Sequence, residues 1–194
     1  RRNIAIVPQD PVLFNATVRE NLLIARPGST PADVETAARA AFAHDFILGL
    51  PQGYETVVGE RGARLSGGQK QMLAVARAII EPRRLLLIDE PTKGLAPAII
   101  ANMIDAFREL KDGEATLLVV EQNFGFARQL GDAVAVMDDG KVAHRGSMAS
   151  FAADQALQQH LLGPHVLEGA VVAAVACELG VFDVQRHVGY RVQK

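Results

Sequence analysis

Four large apolar residues stand together at positions 85–88 (Leu-Leu-Leu-Ile), and two acidic residues, Asp89 and Glu90, follow them directly. An apolar run without polar alternation predicts a strand that is covered on both faces, as in a parallel sheet. Residues 116–120 form a second such run, and residues 3–7 alternate like a strand. Helical segments separate these strands. We therefore predict an α/β protein that binds ligands at the carboxyl ends of its strands.

The helices are predicted from the signals at their amino-terminal ends. Capping-box patterns begin at Thr17 and Thr30, and the second is predicted to open a helix over residues 31–50. Pro97 can start a further helix, whose apolar residues fall on one face. Residues 28–80 are interpreted as a helical subdomain that is inserted between two strands.

The carboxyl-terminal part of the chain contains a predicted hairpin and a tail. Residues 133–137 and 141–144 read as strands on either side of an Asp-Asp-Gly turn. Residues 147–162 look helical. The remaining tail, residues 163–194, is left unassigned in function and is predicted to be mainly an amphipathic helix.

The composition excludes several classes of protein. The 20 basic and 22 acidic residues are well mixed and give a formal charge of -2, so no nucleic-acid partner is expected. A single cysteine, Cys177, excludes an internal disulfide framework and fits a reducing compartment. The most apolar window, residues 166–182, carries two glutamates and falls short of a membrane span. Direct membrane insertion is therefore not expected.

Two interpretations are open for Ser66-Gly67-Gly68-Gln69, which stands directly before a helical pattern. In the first, the segment is a capping box with Ser66 as the N-cap and Gln69 as its partner. In the second, it binds phosphate. Adjacent glycines weaken a helix but bring backbone N–H groups close to a ligand, and a helix amino terminus attracts anions.

Asp89 and Glu90 also have two interpretations. They could be a solvated turn with two acids. Alternatively, Asp89 helps to hold Mg²⁺ and Glu90 orients or deprotonates an attacking water molecule, as phosphoryl transfer to water requires. Gln9 follows a strand in the same way, and its amide could ligate Mg²⁺ or contact that water. A loop glutamine alone would be unremarkable.

The segments VPQDP, LSGGQ and LLLIDEP, in this order and spacing, resemble the Q-loop, signature and Walker B elements of ATP-binding cassette (ABC) transporter ATPases. The resemblance covers residues 1–162 and implies an α/β fold with a P-loop NTPase-like (RecA-like) sheet core. It implies a head-to-tail dimer in which the signature of one ATPase subunit closes over ATP bound to the other. It also implies transmembrane transporter subunits, which would hold the protein on the cytoplasmic face of the cell membrane.

The resemblance also gives roles to individual residues. Gln9 is the Q-loop glutamine and serves ATP and Mg²⁺, Asp89 serves Mg²⁺, and Glu90 is the catalytic base. Gln122 stands where many members of the family have the switch histidine, and it is taken as the second catalytic residue. The signature residues that would bind the γ-phosphate in trans are Ser66, Gly67, Gly68 and Gln69.

The sequence departs from the family pattern in its phosphate-binding loop. The Walker A motif G-x-x-x-x-G-K-[ST] occurs nowhere in the 194 residues, and Ala96 stands where many members have the D-loop aspartate. The missing motif is interpreted as a truncation of the amino-terminal part. Without its lysine and glycines, the chain alone is expected to bind ATP poorly and to be inactive.

The two halves of the chain resemble different branches of the family. Residues 1–70 are similar to exporters, and residues 77–163 are similar to the ATPases of branched-chain amino acid and urea importers. A chimeric origin is one hypothesis. Three functional hypotheses follow: an ATPase subunit, a non-catalytic module that supplies only LSGGQ to an intact partner, or a core too incomplete to fold.

Overall fold

A six-stranded mixed sheet forms the centre of the protein. In the computed structural model, which describes residues 3–112, 115–163 and 171–176, the strand order is β1-β2-β3-β6-β4-β5. The strands are β1 Ile4–Val7, β2 Leu85–Asp89, β3 Thr116–Glu121, β4 Ala133–Asp138, β5 Lys141–Ser147 and β6 Val171–Ala176. β1, β2 and β3 are parallel, and the other pairings are antiparallel. The predicted strands and the predicted hairpin are confirmed, but β2 is not covered on both faces, since Leu86 and Ile88 are buried whereas Leu85 and Leu87 are half-buried.

β6 corrects the helix predicted for the tail. It lies between β3 and β4 and runs antiparallel to both, with Ala174 opposite Val119 on one side and Val134 on the other. Its sequence, Val-Val-Ala-Ala-Val-Ala, is apolar throughout and rich in a β-branched residue, which suits a strand with neighbours on both sides. Pairing along both edges satisfies many backbone groups at once and outweighs a weak helical pattern. The rest of the predicted tail helix, with Cys177, lies outside the described residues.

The helices connect the strands and gather largely in the first half of the chain. They are α1 Val18–Leu23, α2 Pro31–Ala40, α3 His44–Leu48, α4 Gly67–Ile79, α5 Pro97–Lys111, α6 Phe124–Ala127, α7 Met148–Ala153 and α8 Gln155–Leu162. α2, α3 and α4 lie in the segment 28–80, and the bounds of a helical subdomain there stay a prediction. Among the helices that the structure describes, none has the length and apolar character to cross a membrane.

The helix predicted over residues 31–50 begins where it was expected but ends earlier. Thr17 and Thr30 cap α1 and α2 in the predicted capping boxes. The helix predicted over residues 31–50 is two helices, because α2 ends in a Schellman motif. Phe42 takes a φ of 52°, and the Ala43 N–H donates to a carbonyl in the last turn of α2. Glycine usually marks this turn, so a phenylalanine here gives no sequence signal.

The helix predicted over residues 147–162 is also interrupted. Asp154 leaves the helical conformation between α7 and α8, with φ of -97° and ψ of 87°. Its Oδ1 accepts the Leu157 N–H at 2.9 Å and so caps α8. Aspartate bonds to nearby backbone groups more readily at a cap than inside a helix, which explains the break.

The main core lies on one face of the parallel strands. α4 packs against β1 and is itself in contact with α1 and α2. A single cluster of buried side chains joins Val7, Ile88 and Leu117 of the three parallel strands to Phe107 of α5. The helical insertion and the helix after β2 are thus fixed on the same side of the sheet.

The opposite face of β1 and β2, which we call the outer face, carries four apolar side chains. Ile4 and Ile6 are 47% and 63% exposed, and they lie opposite Leu85 and Leu87 in the register of the two strands. Both leucines are half-buried. Side chains two residues apart share a face of a strand, so these four form one apolar surface.

Candidate functional site

Glu90 and Gln122 meet at the carboxyl ends of neighbouring parallel strands. Glu90 is the first residue after β2, and Gln122 is the first residue after β3. The Gln122 Nε2 donates to the Glu90 Oε1 at 3.0 Å. The Glu90 backbone has a φ of 40°, and its N–H donates to the Val120 carbonyl at 2.8 Å. A left-handed glutamate is strained, and such strain is common at functional sites. The structure therefore brings together the two residues to which the family resemblance gives catalytic roles.

Lys93 belongs to the same site, although nothing in the sequence singles it out. Its Nζ lies 2.9 Å from the Glu90 Oε2, so the two carboxylate oxygens of Glu90 bind two different side chains. The hydrogen bond to Glu90 and the charge of that carboxylate raise the pKa of Lys93 above its usual value. The two residues meet because the chain turns directly after β2. A sequence separation of three inside a loop carries no periodic signal.

Asp89 lies beside this pair at the end of β2. Burial raises the pKa of Asp89 above its ordinary value, the carboxylates of Glu90 and Glu121 raise it further, and the charge of Lys93 opposes them. A divalent cation would relieve this repulsion, and carboxylate oxygens are ligands that Mg²⁺ prefers. The chemistry of Asp89 therefore fits the metal-binding role that the resemblance implies.

Asp89→Asn is expected to stabilise the protein at neutral pH, by less than about 1 kcal/mol because solvent screens this partly exposed carboxylate. Its raised pKa means that the folded protein holds the Asp89 proton more tightly than the unfolded chain does. The carboxylate therefore costs stability as the pH rises above its ordinary pKa of 3.8. The gain should be absent below that pH and complete above the raised pKa. Urea unfolding of both proteins across this range measures it.

The matched control for this prediction is Asp105→Asn, which removes the same charge from an exposed position on α5. No such rise with pH is expected there. A loss of stability in Asp89→Asn at neutral pH, or a gain that does not change with pH, would contradict the proposed cost of burying Asp89 beside other carboxylates.

The signature turn forms the predicted capping box. The Ser66 Oγ accepts the Gln69 N–H at 3.2 Å, and the Gln69 Oε1 accepts the Ser66 N–H at 2.9 Å. Ser66 and Gly67 are exposed at the amino terminus of α4. The capping interpretation is confirmed. Phosphate binding by the same residues stays a prediction, which this exposed helix terminus supports.

Gly68 has a packing role that the sequence does not indicate. It is buried, and a Cβ built on it would lie 2.9 Å from the Ile99 Cγ2 of α5. At Gly67 the corresponding nearest atom is the Leu95 Cδ2, at an ordinary 3.7 Å. The close approach of α4 to α5 therefore requires glycine at position 68, whereas position 67 has room for a side chain.

Gln9 lies on a cleft between the signature helix and the loop after β2. The cleft has a volume of about 630 Å³, and its lining includes Gln9, Gly67, Lys70 and Lys93. The structure thus brings Gln9 to the same cleft as one signature residue and the lysine that binds Glu90. Direct contacts of Gln9 with Asp89 or with Mg²⁺ stay a prediction.

Two side chains of α4 hold the segment that contains Gln9. The Gln71 Nε2 donates to the Pro8 carbonyl at 3.5 Å, and the Arg77 Nη1 donates to the Val12 carbonyl at 2.9 Å. Burial lowers the pKa of the Arg77 guanidinium. The two contacts lie on either side of Gln9, so the position of the loop after β1 depends on the signature helix.

The proteins to which this chain is similar are described as ABC transporters or as ATP-binding/permease proteins. Residues 1–93 match the family model described as ABC transporter. The chain is 44% identical to ABC transporter B family member 1 of Arabidopsis thaliana over 147 residues. The aligned region covers 76% of this chain and 11% of that protein. The chain is 39% identical to a putative multidrug export ATP-binding/permease protein of Staphylococcus aureus over 164 residues. This aligned region covers 83% of this chain and 28% of that protein. The chain thus spans less than a third of the length of these relatives.

A solved structure extends the likeness to the fold. A bacterial Atm1-family ABC exporter with ATP bound is similar with a TM-score of 0.76 and 34% sequence identity, over 87% of this chain and 29% of that chain. With the parallel strands described above, this likeness confirms the predicted α/β fold with a P-loop NTPase-like (RecA-like) sheet core.

Proposed function

We propose that this chain is the ATP-binding part of an ABC transporter, in which Mg-ATP binding and hydrolysis at a head-to-tail dimer interface are coupled to solute transport. The observation that carries the proposal is the contact between Glu90 and Gln122 beside Asp89, at the ends of adjacent parallel strands. The family match over residues 1–93 and the similarity to ATP-binding/permease proteins support the same role.

In this proposal Glu90 is the general base. Gln122 binds one of its carboxylate oxygens and Lys93 the other, which fixes the orientation of the carboxylate. Each oxygen keeps a further lone pair that can accept a proton from an attacking water molecule. Asp89 and Gln9 would hold Mg²⁺, and the bound ion would neutralise negative charge on the transferred phosphoryl group.

The signature turn would act on ATP bound by a second ABC ATPase subunit. The exposed amino terminus of α4 supports this role, since backbone N–H groups at a helix amino terminus attract phosphate. The residues that would contact the γ-phosphate are Ser66, Gly67, Gly68 and Gln69. Transmembrane transporter subunits would respond to closure of the dimer and keep the protein on the cytoplasmic face of the membrane.

One feature favours an alternative function. The 194 residues contain no G-x-x-x-x-G-K-[ST] motif, which is the usual cradle for the β- and γ-phosphates. In this alternative the chain is a non-catalytic module. Its residues 66–69 complete the ATP site of an intact partner, and Glu90 takes no part in hydrolysis.

The direction of transport is a separate proposal. Export is supported by the sequence pattern of residues 1–70 and by the descriptions of the Staphylococcus aureus relative and of the solved neighbour as exporters. The similarity of residues 77–163 to importer ATPases and the chimeric origin stay predictions.

A paired assay tests both functions. The chain is mixed with an intact ABC ATPase subunit whose own catalytic glutamate has been replaced by glutamine, and ATP turnover and ATP-dependent association are measured. Turnover that appears on mixing and saturates at equimolar ratio supports catalysis by this chain. Association without turnover supports the module. The absence of both would contradict the proposed function in either form.

A further inference from the structure

Glu121 is a buried acidic side chain that the proposed chemistry does not use. It is the last residue of β3 and is only 2% exposed. In the part of the chain that the structure describes, the salt bridges do not include Glu121. A buried carboxylate is costly unless hydrogen bonds compensate for its lost hydration. The position of its hydrogen-bond partners therefore indicates why it is there.

Those partners lie on two different loops. The Glu121 Oε1 accepts the Thr92 N–H at 2.9 Å and also accepts the Thr92 hydroxyl, and the Oε2 accepts the Asn123 N–H at 2.9 Å. Thr92 is in the loop after β2, two residues beyond Glu90. Asn123 is in the loop after β3, directly beyond Gln122. The Glu121 carboxylate thus joins the two loops that carry Glu90 and Gln122.

We propose that Glu121 is a positioning residue, which sets the contact between Glu90 and Gln122 by tying together the loops after β2 and β3. Glu121 touches neither a substrate nor a reacting atom in this role. Its effect on ATP turnover rests on the proposed function, whereas its effect on the geometry of the site does not.

A carboxylate is needed at this position because two backbone donors on separate loops require two acceptors. Glutamine has the same shape but only one acceptor oxygen, and its NH₂ group is a donor. In Glu121→Gln, the NH₂ group must face either the Thr92 N–H or the Asn123 N–H. One of the two loops is then released, while the volume of the buried side chain hardly changes.

The test uses nuclear magnetic resonance of the whole chain without nucleotide. In the wild type, the amides of Thr92 and Asn123 are expected to exchange slowly with solvent, and the Gln122 side-chain NH₂ to show a nuclear Overhauser contact with Glu90. In Glu121→Gln, the protection of one of these amides should fall by about tenfold or more, and the contact between Gln122 and Glu90 should be lost.

The matched control is Glu20→Gln. Glu20 accepts the N–H and the hydroxyl of Thr17 in the same pattern, but it does so at the start of α1, far along the chain from the site. The contact between Gln122 and Glu90 should stay intact in this control. If Glu121→Gln does not fold, Thr92→Val, which removes only the hydroxyl donor, replaces it and should weaken the same contact.

Two results would overturn the proposal. One is rapid exchange of the Thr92 and Asn123 amides in the wild type, and the other is an unchanged contact between Gln122 and Glu90 in the variant. In the paired assay, Glu121→Gln should lower kcat about 10- to 100-fold with little change in the KM for ATP, as expected for a displaced catalytic group. Absence of turnover in the wild type would contradict catalysis by this chain, and the resonance measurements would still decide the role of Glu121.

Discussion

Replacement of Glu90 by glutamine is expected to lower ATP turnover in the paired assay about 10²- to 10⁴-fold, the usual contribution of a general base. Glutamine keeps the length of the side chain and can still accept the hydrogen bond from the Gln122 Nε2. It cannot take a proton from water, and it loses the ion pair with Lys93. Because the partner subunit in that assay lacks its own base, the measured turnover reports on Glu90 alone.

The control for Glu90→Gln is Glu109→Gln, which makes the same change of charge at an exposed position on α5. Turnover should be unchanged in the control. Wild-type turnover in Glu90→Gln, with the protein folded and associated, would exclude Glu90 as the base.

Gly68→Ala is expected to lower the free energy of unfolding by about 1–3 kcal/mol, the usual cost of overpacking. The new Cβ would lie 2.9 Å from the Ile99 Cγ2 and 3.3 Å from the Ile99 Cγ1. Ile99 is branched at its own Cβ, so these atoms cannot swing aside without a change of rotamer. The added methyl group therefore requires either a different Ile99 rotamer or a larger distance between α4 and α5. Urea unfolding measures the loss.

Two further variants make this prediction specific. Gly67→Ala adds the same methyl group one residue earlier, where the nearest atom is at 3.7 Å, and it should be neutral or slightly stabilising. In an Ile99→Ala background, the cost of Gly68→Ala should largely disappear, since the colliding atoms are gone. An equal cost in both backgrounds would mean that α5 does not impose the glycine.

Strands β1 to β5 could be predicted because their signals are local. Residues 85–88 and 116–120 are apolar throughout, and the parallel pairing that such runs indicate is what β2 and β3 show. The break at Phe42 could not be predicted, since the left-handed turn there is set by the packing of the insertion and not by a glycine. β6 could not be predicted either, because its conformation depends on two strands that are distant in the sequence.

Some residues of the candidate site could be predicted from the sequence, and others could not. Asp89, Glu90 and Gln122 follow predicted strands, and the topology rule for parallel sheets was enough to expect them at one edge. The contacts made by Lys93 and Glu121 depend on how two loops fold over each other, and neither spacing nor residue type indicates them. At Gly68, the residue type suggested a ligand, whereas the structure shows a second reason for glycine in the approach of α5.

The place of β6 in the sheet has a consequence for how the protein is made. In the described part of the chain, β3 and β4 are joined through β6, which follows both of them in the sequence. During synthesis, the facing edges of β3 and β4 therefore stay open until residues 171–176 have left the ribosome. Open edges of apolar strands invite pairing with other chains. The yield of folded protein should thus depend on how quickly residues 171–176 are synthesised after β4, even though no contact of the finished molecule changes.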